Sequence, residues 1–244
     1  MFLSQLVLNP RDARARRDLA SPYELHRTVL SVGFDGVTMG DIGRVLFRAD
    51  ADPAGRTPPV VLVQSEREPD WTRLPAGYTA RGPACKSFDP RFRVGQRLRF
   101  RLRANPTKKV RLVAGHPPRG VPGRNGKRVA LLKEDDQIAW LVRQGKEHPE
   151  SDGALRGGGF RPVTVRPVPP RDEPVYGLGS ASAGWAFGHK TDDRTGTTHA
   201  LTFHGVVFEG HLEVTHAERF ADAVRHGVGP GKACGFGLLS VAPA

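Results

Sequence analysis

With 38% hydrophobic residues at a mean hydropathy of −0.41, the 244-residue chain has material for one large core or two small ones in a water-soluble globular protein. The opening MFLSQLVLNPRDARARR has no basic residue ahead of its apolar run, and that run is too short for a signal sequence or a membrane span. The cytoplasm is therefore the expected compartment, with no membrane partner. The two cysteines, Cys85 and Cys234, lack a CxxC neighbour, which argues against a disulfide framework and a structural zinc site.

Taken in chain order, Phe2–Leu8 reads as a strand. A helix opens at Ser21, where Ser21 and Glu24 form a capping box and Pro22 stands at the first helical position. Strands follow at Arg44–Arg48 and Val60–Gln64, then a short irregular or helical piece near Asp70, then a strand at Gln96–Arg103. This βαββαβ order predicts a ferredoxin-like unit over 1–110. In its last strand Leu98, Phe100 and Leu102 alternate with Arg97, Arg99, Arg101 and Arg103, so one face is apolar and the other carries guanidiniums.

Residues 104–127, ANPTKKVRLVAGHPPRGVPGRNGK, read as a basic interdomain loop, with 111–126 as the linker proper. Beyond it the pattern gives a short strand near Val129, a helix over Asp135–Gln144 and a strand around Phe160–Val168. A hairpin from Gly184 onward then has a further turn at Glu209–Gly210. A helix capped by Thr215 and Glu218 ends at Gly227, and Phe236–Val241 forms the final strand. A second βαββαβ unit over 127–244 fits this order, so the expected fold is α+β with two tandem ferredoxin-like domains.

The net charge of +12 and the pI near 10.5 point to a polyanionic partner. Basic proteomes drift the same way, but drift scatters charge. Here Pro90–Lys133 holds fourteen Lys or Arg and no Asp or Glu, which favours nucleic acid.

Within SPYELHRT, Tyr23, His26 and Arg27 fall on the side of the helix opposite Leu25, Val29 and Val32. The amino end of a helix favours an anion and lowers the pKa of a nearby imidazole, so a neutral His26 beside a phosphate can act as a base. The same residues also read as an incidental aromatic and an incidental histidine at a helix start.

The loop GVGPGKACGFG, Gly227–Gly237, is not a nucleotide cradle. Ala233 stands where a Walker A loop needs Ser or Thr, and the loop runs from helix to strand rather than the reverse. Its backbone is free to lie close against another surface, with Lys232 placed either for RNA contact or for loop packing. His189, His199, His204, His211, His216 and His226 form no metal-ligand spacing, and Trp71, Trp140 and Trp185 are too scattered to stack bases; no metal or cofactor is expected.

Four stretches, in order, resemble a known family: LVLNPRDARARRDLASPYELHRT, VGQRLRFRLRANPTKK, GKRVALL and the ending VVFEGHLEV to GVGPGKACGFGLLSVAP. They look like the CRISPR repeat-processing endoribonuclease of type I-E systems, the CasE family. The resemblance implies two ferredoxin-like, RRM-related domains. It also implies metal-independent cleavage of precursor CRISPR RNA at the base of the repeat hairpin, leaving a 2′,3′-cyclic phosphate and a 5′-OH. The protein would then stay on the hairpin with other Cascade subunits. The family's catalytic pair falls on Tyr23 and His26. Its RNA-gripping basic residues fall among Lys108, Lys109, Arg111, Lys127 and Arg128, and a basic hairpin of the second domain falls near Lys190 or Arg194. A hairpin-binding subunit without catalysis, or a basic subunit assembling through protein contacts alone, are the competing readings.

Overall fold

The computed structural model describes residues 1–38, 40–52, 54–110, 128–149, 155–163, 178–191 and 197–244. The first sheet is built from β1 (Phe2–Val7), β2 (Val45–Asp50), β3 (Val60–Ser65) and β4 (Ala84–Ser87), in the order β2-β3-β1-β4 with every pair antiparallel. Between β1 and β2 run two helices, α1 (Ala13–Ala20) and α2 (Pro22–Gly33). Leu25, Val29 and Val32 of α2 are buried against Leu6, Phe47, Val61 and Val63 of the sheet, as the spacing of the apolar residues requires.

The first helix has no apolar period, because its buried positions are Ala15 and Asp18. Its start is nonetheless set by Asp12, whose carboxylate accepts from the Ala15 N–H at 2.8 Å. Asp18 is fully buried and accepts from the Tyr78 hydroxyl at 3.0 Å and from Arg17 at 3.2 Å. Burial and the Asp18 carboxylate together push the Tyr78 phenol well above its ordinary pKa, so this pair stays a neutral donor on an anion. Because α1 runs directly into α2, Ser21 serves both: its N–H caps the carbonyls of Arg17 and Asp18, and its hydroxyl accepts from Glu24 N–H at 3.4 Å. The cap on α2 therefore works from one side.

The strand over Arg97–Ala104, β5, belongs to the second sheet and not to the first. Its neighbours are β12 (Thr198–Val214) and β13 (Leu239–Pro243), both antiparallel to it. The sheet order is β10-β12-β5-β13, with β10 at Phe160–Pro162, and β11 (Leu178–Thr191) pairs along the rest of β12. Counting β5 as the first strand of this unit, the order is that of the first sheet, so the ferredoxin-like plan is indeed duplicated. The break between sheets falls between Ser87 and Arg97, earlier than the expected linker. The first unit closes instead with β4, four exposed residues without alternation, which no periodicity could reveal.

The basic segment expected to link two domains begins and ends as a two-stranded ribbon inside the second unit. In it β6 (Thr107–Lys109) pairs with β7 (Arg128–Ala130) in the register Lys108↔Val129. The helix read over Asp135–Gln144 is α3 (Glu134–Gly145), followed by the short pair β8 (His148–Pro149) and β9 (Leu155–Arg156). No turn interrupts β12 at Glu209–Gly210, which pair through to β5 and β11. The helix α4 (Ala217–His226) is capped by the His216 ring, accepting from Arg219 N–H at 3.5 Å, rather than by Thr215. The piece near Asp70 is a turn, and the last strand starts at Leu239. Trp71 and Trp140 are core residues.

The alternation in β5 holds: Leu98, Phe100, Leu102 and Ala104 are buried while Arg97, Arg99 and Arg101 are exposed. The two units lock along β2 and β3. Gln64 donates to the carbonyls of Val224 and Arg225 at the end of α4 (2.8 and 3.2 Å). Arg48, only 3% exposed, donates from Nε to both carboxylate oxygens of Asp50 at 3.0 Å and from Nη1 across the boundary to Ser240 Oγ at 2.9 Å and the Arg101 carbonyl at 3.3 Å. Removing one partner of a buried ion pair leaves the other uncompensated and costs about 3–5 kcal/mol. Arg48→Ala is therefore expected to lower the free energy of unfolding by about 3 kcal/mol in chemical denaturation, the low end because Asp50 also has Arg101 at 3.7 Å.

Candidate active site on the second helix

His26 and Tyr23 lie three residues apart on α2, neighbours on one helix face, and both are half-buried. Beneath the imidazole is Phe47 of β2, its ring centroid 6.1 Å away and its plane 18° off parallel. Burial of the ring pulls the His26 pKa below its ordinary 6.5, and Nδ1 is buried with no hydrogen-bond partner among the described residues. An imidazolium needs acceptors at both nitrogens. The neutral ring is therefore the stable form at neutral pH.

Phe47 is also packed by the glycine-rich loop. Gly235 has φ +77°, and a Cβ there would stand 2.9 Å from the Phe47 ring. A larger residue would meet both the left-handed backbone and the aromatic ring. Gly227 makes the same close approach to Leu46, at 2.9 Å. The loop is thus a packing device that seats the second unit on β2, and a short 3₁₀ turn at Lys232–Cys234 packs against α2 and β2. Cys234 is buried in it and its thiol is pushed up by burial, while Cys85 is exposed on β4.

Lys232 is half-buried, and burial, with the Arg44 charge adding to it, lowers its pKa. It lines an open cavity of about 610 Å³ with Arg143, Arg219 and His226, in which Asp222 is the carboxylate. Arg27 does not join His26: it is exposed, pairs with Glu24 at 3.4 Å and lines a separate groove of about 570 Å³ with Arg14 and Arg17. Lys108, Lys109 and Arg128 are exposed on the β6–β7 ribbon, where Arg128 donates to Thr107 Oγ1 at 3.3 Å. The Lys190 backbone is in β11 opposite His199; Arg111, Lys127 and Arg194 lie outside the described residues. Among the described residues no group of three or more His, Cys, Asp or Glu is arranged to hold a metal ion, and no helix is long and apolar enough to cross a membrane.

Phe47, Gly235 and the Arg14–Arg17 side of the groove escaped the sequence reading. Phe47 is one apolar residue in an apolar strand, and nothing local tells that it will lie beneath an imidazole 21 positions earlier. The glycine loop carried a partial signal, since backbone free to approach a surface was legible although the surface was not.

Set on two duplicated sheets, this site has counterparts of known kind. A family model described as "CRISPR associated protein" matches residues 1–243. The chain is 42% identical over 244 residues, all of both chains, to the "CRISPR-associated endoribonuclease Cse3" of Thermus thermophilus. It is 32% identical over 185 residues to the "CRISPR system Cascade subunit CasE" of Escherichia coli, covering 75% of this chain and 74% of that one. The solved structure of Thermus thermophilus Cse3 bound to an RNA representing a pre-cleavage complex is 41% identical, with a TM-score of 0.71 over 99% of this chain and 98% of that one. The chain belongs to the CRISPR-associated protein family, in its type I-E endoribonuclease branch.

The ring environment predicts that the His26 signal in an NMR pH titration has its midpoint below 6.5. The unfolded chain binds this proton at higher pH than the folded one. The stability contributed by His26 is therefore complete above pH 6.5 and declines as pH falls from 6.5 through the lowered folded-state pKa.

Proposed function

We propose that this protein is a metal-independent endoribonuclease that cuts precursor CRISPR RNA at the base of the repeat hairpin and stays on the product as a Cascade subunit in the cytoplasm. The observation that carries the reading is the neutral, half-buried imidazole of His26, with Tyr23 one turn earlier, on a strongly basic chain. Family membership and the endoribonuclease and Cascade names of the relatives support it.

The reaction asks little covalent chemistry of the protein. The 2′-OH upstream of the cut attacks the adjacent phosphorus in line, the P–O5′ bond breaks, and the products are a 2′,3′-cyclic phosphate and a 5′-OH. The attacking hydroxyl must lose a proton and the leaving oxygen must gain one. A neutral His26 takes the first, and the imidazolium so formed, or water, gives one back to the departing O5′. Tyr23, within a turn of it, holds the hydroxyl or phosphate in line, so that reacting atoms start near contact distance. Lys108, Lys109 and Arg128 on the exposed ribbon are placed to meet phosphates of an A-form stem, whose grooves favour shape and backbone contacts over base reading. Arg111, Lys127, Lys190 and Arg194 are assigned to the same task, Arg27 to the phosphate-facing groove on α1 and α2, and Lys232 to an RNA contact beside the glycine loop.

General acid–base help is worth about 10²–10⁴-fold. In single-turnover assays on the repeat hairpin, His26→Ala is expected to slow cleavage by that factor while the Kd for RNA stays nearly constant. A 2′-deoxy nucleotide at the attacking position should stop cleavage, and EDTA should leave it unchanged. Cleavage of the deoxy substrate, or its loss on chelation, would sink the mechanism; tight binding without a new 5′-OH end would favour the non-catalytic hairpin-binding subunit.

A further inference from the structure

The apolar-in, arginine-out strand β5 presents four guanidiniums, and three of them are answered by the protein. Arg97 faces Glu213 at 3.9 Å, Arg99 donates to the Pro243 carbonyl at 3.2 Å, and Arg101 pairs with Glu209 at 3.0 Å and Asp50 at 3.7 Å. Arg103 differs. Its Nε is buried without a hydrogen-bond partner, and its side chain makes no salt bridge among the described residues. The guanidinium carbon lies 5.2 Å from the centroid of the Phe236 ring, which orients the group but offers no acceptor.

Arg103 lines a cavity of about 200 Å³ whose other walls come from both units: Pro22 and Leu25 at the start of α2, Phe47 of β2, and Cys234 and Gly235 of the glycine loop. Every one of those walls is uncharged; the carboxylate that acts on Arg103 from beyond them, Asp50, makes no hydrogen bond or ion pair with it and is paired with Arg48 and Arg101. Phe47 is the residue beneath His26, so the cavity and the imidazole share a wall. A half-buried cation with no acceptor is a costly arrangement for a folded protein, and it is retained at functional sites because a ligand completes it. Its planar donors suit the paired oxygens of a phosphate.

We propose that Arg103 is a phosphate-binding residue of this site, holding a backbone phosphate of the RNA strand that runs past His26; the proposal rests on the ribonuclease reading above. The bound phosphate supplies the acceptor that Arg103 lacks, and Phe236 keeps the guanidinium plane in place for it. The other arginines of β5 do not line this cavity: Arg97 and Arg101 are paired with glutamates, and Arg99 donates to the Pro243 carbonyl.

The test uses the full chain and a repeat hairpin RNA made uncleavable by a 2′-deoxy nucleotide. Arg103→Gln is expected to raise Kd about tenfold or more, as loss of a charge-assisted hydrogen bond does, and to reduce the slope of log K against log salt by about 0.7–0.9, the value of one phosphate contact. Arg103→Lys should keep the slope. The melting temperature of the free protein should not fall in Arg103→Gln, because the buried Nε has no acceptor to lose and the desolvated charge is removed. If wild-type protein binds the hairpin and Arg103→Gln matches it in Kd and slope, this proposal fails while the ribonuclease reading stands. A variant that melts earlier, or does not fold, marks Arg103 as structural and overturns the proposal too. Wild-type protein that does not bind the hairpin overturns the ribonuclease reading, and this one with it.

Discussion

Contact between Gly235 and Phe47 joins the two halves of the molecule, and the candidate site is assembled around it. The glycine belongs to a loop of the second unit and the phenylalanine to an edge strand of the first, and they approach to a distance that a Cβ would fill. Phe47 thus meets the loop of the second unit and also lies 6.1 Å, ring to ring, from His26. Burial of the imidazole lowers its pKa and so favours the neutral ring.

Charge is divided between structure and reception in a way the sequence total conceals. Arg48, Arg97 and Arg101 are spent on carboxylates, and Arg48 in particular ties β2 to Ser240 and to the backbone of β5. Lys108 and Lys109 stand exposed on the ribbon, and Arg103 lines a cavity with its Nε buried and without an acceptor. The same residue type thus fixes the relation of the two sheets at Arg48 and is left without an acceptor at Arg103, two residues beyond the paired Arg101 on the same strand. Net charge identifies a polyanion as the partner, but only the pairing pattern separates the cations available to it.

Local rules recovered the helix at Ser21, its buried stripe, the alternation in β5, and the duplicated strand order, since each follows from a period of 3.6 or 2 or from a cap. The same rules misassigned β5 itself. An amphipathic strand carries no label for the sheet it joins, and the true fourth strand of the first sheet, Ala84–Ser87, is exposed and without pattern. The first helix was invisible because it buries an alanine and an aspartate instead of a hydrophobic stripe. At the site, Tyr23 and His26 were legible through their place on a capped helix. Phe47, Gly235 and the unpaired state of Arg103 were not, because each depends on a partner far away in the chain.

The central physical claim is that burial of its ring holds His26 in its basic form, ready to take the proton of an attacking ribose hydroxyl. The pH dependence of single-turnover cleavage reads this directly. The account predicts a rate that rises with pH and levels off with a midpoint below 6.5, and the disappearance of that limb in His26→Ala. A midpoint at or above 6.5, or a limb that survives the substitution, would contradict it.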